Sequence, residues 1–195
     1  MTQAFDPAAD LAACQAMADE LEAYLQSDVL YWQMDASRPG GDRLPKLTVS
    51  GFLERACRLG AAPLAPAQRA ALDESVRRFE QARDRLYARY VARAAHDLRG
   101  RLDAWQWFLD DYAKQPEEQA PYYPAQVHTR LAAELLMGEL KDHPQAAEFA
   151  HRLFALDERL RADWIDGAFV WHNSLAAGFP REQFWWLYGK LKLSR

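Results

Sequence analysis

The sequence predicts an all-α fold, a helical bundle of five to seven helices ending in an aromatic-rich C-terminal strap, on three observations. Residues suited to a pleated surface are scarce: 6 Val, 1 Ile and 3 Thr stand against 35 Ala and 25 Leu in a chain of 195 residues. A sizeable sheet lacks its material. Apolar residues recur at helical spacing along most of the chain. Aromatics make up 12% of the residues, too many for a disordered chain. The length suits a single helical domain with a real core, read as a bundle over 1–163 and an aromatic appendage over 164–195.

The first helix is expected over Pro7 to Gln26, with Asp6 as N-cap, Pro7 at the first helical position and Leu11, Cys14, Leu21, Tyr24 and Leu25 on one face. Gln33 to Lys46 holds two Pro and two Gly and reads as a loop. A short helix follows over Thr48 to Leu59, capped by Thr48 or Ser50 and ended by Gly60. From Pro66 the helical pattern runs 48 residues to Ala113, ~72 Å if unbroken. A compact domain of this length is only roughly 40 Å across, so a break or sharp kink is expected. Arg99-Gly100 is the expected place, because Gly costs about 1 kcal/mol relative to Ala inside a helix. Helices are also expected from Tyr123-Pro124 to Lys141 and from His143-Pro144 to Trp164. Eight aromatics then fall between Trp164 and Tyr188, with Pro180 expected to open a last short helix.

Three segments carry a resemblance: Leu102-Asp103-Ala104-Trp105-Gln106-Trp107-Phe108-Leu109-Asp110, Tyr122-Tyr123-Pro124-Ala125-Gln126-Val127 and Phe184-Trp185-Trp186-Leu187-Tyr188-Gly189. There the chain resembles uncharacterised bacterial helical proteins, over its C-terminal half. The shared motifs are mostly aromatic packing residues, and the resemblance implies no activity.

The first ten residues carry no basic residue, and no stretch is apolar enough to span a bilayer, so a cytoplasmic chain is expected. Cys14 and Cys57 stand apart in helical patterns and read as two thiols. His96-Asp97 is the doublet of metal phosphohydrolases, but His96 is the first histidine of the chain and no upstream ligand exists. The other reading is an exposed helical His beside an Asp97–Arg101 pair. Glu148-x-x-His151 has di-iron spacing but is a lone copy where two are needed. Arg38 to Arg43 could curl around a phosphate, yet joins no strand to a helix. Neither a catalytic residue, a metal ligand nor a cofactor motif emerges.

Charge is more informative. The net charge is −4, but eight Arg and three acids lie between Arg77 and Arg101, whereas residues 1–37 hold seven acids and no Lys or Arg. Arg78, Arg85, Arg89 and Arg93 share one helical face opposite the apolar stripe. That row reads either as a solvated face or as a surface for an anionic partner, with nucleic acid ranked last because no reading element accompanies it. The first functional expectation is therefore a non-catalytic helical protein that mediates protein–protein or self-association, its acidic first helix meeting the Arg row. The alternative is a small-ligand-binding protein or enzyme with a pocket between the bundle and the strap, where Trp171, His172, Asn173 and Trp185 supply rings and hydrogen-bonding groups.

Overall fold

The computed structural model describes residues 5–29, 31–35 and 44–193. The Arg38–Arg43 turn lies outside them. The first helix, α1 (Pro7–Gln26), begins as expected: Asp6 Oδ1 accepts hydrogen bonds from the Ala8 and Ala9 amides at 3.0 and 3.2 Å. This answers two of the amides that a helix start leaves unpaired. Next comes α2 (Val49–Ala61), capped by Thr48 Oγ1 on the Gly51 amide. It passes through Gly60, which therefore does not end it. A Cβ at Gly60 would touch nothing, and the last turn closes instead at Ala62.

The long helical pattern divides into α3 (Pro66–Arg85) and α4 (Tyr87–Lys114). The break falls at Leu86, not at Arg99-Gly100, and Gly100 stays inside α4. Leu86 takes φ −118°, ψ 35° while its amide still bonds Ala82 O and its carbonyl still accepts from Tyr90. The turn is thus made without losing those two backbone bonds, and no glycine is needed for it. It aims Phe79 and Tyr90 at each other edge to face, 5.9 Å apart, with Phe52 of α2 stacked on Phe79 at 3.9 Å.

A short α5 (Pro116–Gln119) leads to α6 (Tyr123–Glu139) and α7 (Ala146–Ala162). The last helix stops two residues before Trp164, which opens a strand instead. The helices pack α1 on α2 and α3, and α6 on α2 and α4. No helix among the described residues is long and apolar enough to cross a membrane.

The expected helix from Pro180 does not form. Strand β1 (Trp164–Phe169) pairs antiparallel with β2 (Tyr188–Leu191), and the residues between them make 3-10 turns over 173–178 and 185–187. Gly189 permits the pairing, since a Cβ there would lie 2.2 Å from Ile165 O and 2.6 Å from the Trp164 ring. Dense aromatics hold this segment. Phe179, Trp186 and Leu187 are buried in the same hydrophobic cluster as the helices, and Tyr123 Oη donates to Trp186 O at 2.6 Å. The Arg130 guanidinium lies 3.7 Å from the Trp186 ring centre, and Arg161 covers Trp185 at 3.8 Å.

Candidate functional site

The arginine row is occupied from within the chain. Arg78 and Arg85 sit on α3 and reach across to α1, pairing with Asp19 and Glu22 at 2.7 Å each. Arg89 donates to the Leu25 and Gln26 carbonyls at the end of α1, and Arg93 to Ser27 O. These two cations sit where the partial negative charge of the α1 C-terminus collects. The acidic first helix and the basic row do meet, then, in one molecule.

The C-terminal segment does close a cleft. Its volume is about 400 Å³, and it opens between α1, α2, α6 and the turn after β1. Trp171 and His172 line it, as the sequence suggests; Asn173 opens the 3-10 turn outside the lining, and Trp185 lies under Arg161. Trp171 is nearly enclosed, with its indole N–H on Pro124 O at 3.2 Å and its ring stacked on His128 at 4.5 Å between centres. The indole therefore serves as a wall that positions His128.

Around that imidazole stands a charged cluster drawn from three helices. Glu54 of α2 holds His128 Nδ1 of α6 at 2.5 Å. Arg58, one turn along α2, donates to Asp10 of α1 at 2.8 Å and lies 3.3 Å from Glu54. Arg55 stands 3.6 Å from Asp10 and donates to Gly51 O at 2.9 Å. Arg58 Nε is buried without a hydrogen-bond partner among the described residues. The two carboxylates thus set the position of the guanidinium at the expense of one of its own donors.

The two acids are driven apart. Burial pushes Asp10 above the usual carboxylate range, against the pull of Arg58 and Arg55. Burial also opposes charge on Glu54, but the hydrogen bond and charge of His128, with Arg58 and Arg55, hold it below that range. Two carboxylates in one cleft with opposite shifts are how proteins separate a proton donor from a permanent anion. His128 Nδ1 thus faces both the Glu54 carboxylate and Arg58 Nη1, the latter at 3.4 Å. Among the described residues the lining contains no Ser, Thr or Cys.

The motifs singled out earlier lie elsewhere. Asp97 accepts the Ser50 amide at 2.8 Å and Arg101 Nε at 3.1 Å, so the doublet's carboxylate closes the start of α2. It borders a second cleft of about 310 Å³ that also holds His96 and the exposed Trp107. Glu148 accepts from Gln145, and His151 is exposed. No group of three or more His, Cys, Asp or Glu among the described residues is placed to hold a metal ion. Cys14 and Cys57 are unbridged, and burial raises their thiols to about 12 and about 11.

Asp10, Glu54, Arg55, Arg58 and His128 were not legible as one site. The Glu54–Arg58 spacing is a one-turn pair and reads as a helix surface. Only the packing of α2 on α6 brings His128, 74 residues away, onto Glu54. Compared with known proteins, the chain matches no family model, no curated protein and no solved structure.

Proposed function

We propose that this chain is a small-ligand-binding protein whose ligand sits in the α1–α2–α6 cleft, against His128. The observation that carries this is the cluster of Asp10, Glu54, Arg55, Arg58 and His128 in an open cleft. Half-buried ion pairs add little net stability, because desolvation consumes what attraction gains. A fold that needed only a core would fill the place with apolar side chains. Perturbed acids gathered in a concave site mark binding or catalysis. Two unbridged thiols fit residence in the cytoplasm, where thiols stay reduced.

The test is a thermal-shift series on the full chain with benzoate, inorganic phosphate, benzamidine and each of the twenty amino acids. At a hundred times its Kd a ligand stabilises by about 2.7 kcal/mol, roughly 5–10 °C for a domain of this size. At least one compound raises the midpoint of the wild type and leaves a folded His128→Gln variant unmoved. No shift with any compound, or an equal shift in His128→Gln, overturns the proposal.

The association reading has a weaker footing. Arg78, Arg85, Arg89 and Arg93 would have to exchange partners they already hold within the chain.

A further inference from the structure

Building on the ligand-cleft reading, we infer that the occupant is a small zwitterion, an amino acid or a molecule of the same dipolar kind. The charges that face the cleft are sorted by helix. From α1 and its cap come only carboxylates, Asp6 and Asp10; from α2 come Arg55 and Arg58. Glu54, also on α2, is turned to His128 and Arg58 and is spent there. At the floor, Asp10 and Arg58 answer each other at 2.8 Å. Toward the rim, Asp6 caps α1 through Oδ1, while Arg55 anchors Nη1 on Gly51 O and stands with Nε 3.6 Å from Asp10.

Charge selects among ligand classes. Among the described residues, the lining holds three carboxylates, two guanidiniums and two imidazoles, so neither sign stands alone. A simple anion meets the carboxylates of Asp6 and Asp10, and a simple cation meets two arginines that cannot lose their protons. A dipolar molecule answers both walls: its ammonium faces Asp6 and its carboxylate faces Arg55 Nη2. Phe5 and Leu175 add apolar surface for a side chain. A volume of about 400 Å³ accommodates a small metabolite but not a peptide.

The experiment is isothermal titration of the full chain with each of the twenty proteinogenic amino acids, then with the C-terminal amide and the des-amino acid of any that binds. We expect at least one amino acid to bind and each analogue to bind at least about tenfold more weakly. Asp6→Asn keeps a good helix cap and Arg55→Met keeps an apolar stem, so both fold with an unchanged thermal midpoint. Asp6→Asn weakens the amino acid about tenfold and spares the des-amino acid; Arg55→Met weakens it equally and spares the amide. An analogue that binds as tightly as its amino acid overturns the inference. So does silence from all twenty while benzoate, inorganic phosphate or benzamidine binds, which leaves the ligand cleft standing and removes only the zwitterion. Silence from every compound removes both.

Discussion

The Arg130 guanidinium lies 3.7 Å from the centre of the Trp186 ring while its Nε and Nη2 each donate to Asp157 at 2.8 Å. One buried cation therefore joins α6, α7 and the C-terminal segment, and Glu134 takes its remaining edge at 2.9 Å. A planar, delocalised cation can satisfy a ring face and a carboxylate at once, which lysine cannot.

Removing the anion alone exposes what that pair holds. Asp157→Ala leaves a guanidinium that is 3% exposed without its two-point partner. The expected cost is about 3–5 kcal/mol, a fall of roughly 6–20 °C in midpoint. Arg130→Met should cost less, since it leaves no unpaired buried cation. Thermal unfolding of both variants decides the order, and a milder effect for Asp157→Ala refutes it.

Acid titration separates the two cleft carboxylates by sign. A lowered pKa in the folded state means the unfolded chain binds more protons, so Glu54 adds stability that is lost as pH falls below about 4.3. Asp10, raised by burial, does the reverse: its contribution is present below about 3.9 and is lost as pH rises. Midpoints between pH 2 and 6 should therefore rise less steeply in Glu54→Gln than in the wild type, and more steeply in Asp10→Asn. Equal slopes in the three proteins refute the assignment.

The row of arginines predicts small effects on stability and none that calls for a second molecule. Arg85 and Glu22 are 63% and 44% exposed, a pair worth about 0.2–1 kcal/mol. Arg85→Glu should lower the midpoint slightly, and adding Glu22→Arg should recover it. The loss should shrink in concentrated salt, which screens exposed pairs. Sedimentation of the same variants checks association: an oligomer lost in Arg85→Glu and regained in the double variant would favour the self-association reading.

At Gly189 the sheet has no space to give. Gly189→Ala sets a methyl against Ile165 O and the Trp164 ring, and overpacking of this kind costs about 1–3 kcal/mol. Gly60→Ala, with nothing near its Cβ, should gain up to about 1 kcal/mol from helix propensity. The two substitutions, measured by denaturant unfolding, should move in opposite directions.

Local chemistry made the helix starts readable. Asp6-Pro7, Thr48, Pro66 and Tyr123-Pro124 each begin a helix where capping and proline rules place it. Stops were harder. Gly60 and Gly100 are tolerated inside helices, and the real break at Leu86 carries no sequence mark because ordinary residues reach φ −118°. The strands were hidden too: Trp164–Phe169 holds one β-branched residue, Ile165, and its pairing depends on β2, on the far side of both 3-10 turns. Half of the proposed strap pocket, Trp171 and His172, does reach the cleft. The charged half was invisible, because its members meet only through tertiary packing.

That cleft is stitched from distant parts of the chain: Asp10 meets Arg58 across 48 residues, Glu54 meets His128 across 74, and Trp171 meets Pro124 across 47. Each closure carries an entropic cost that grows slowly with the loop, and contacts of such range slow folding. The site therefore belongs to no single foldon, and no fragment lacking one of these stretches can assemble it. A molecule bound there draws its affinity from the cooperative native state as a whole, so its binding free energy adds to global stability and protects slow-exchanging core amides far from the cleft.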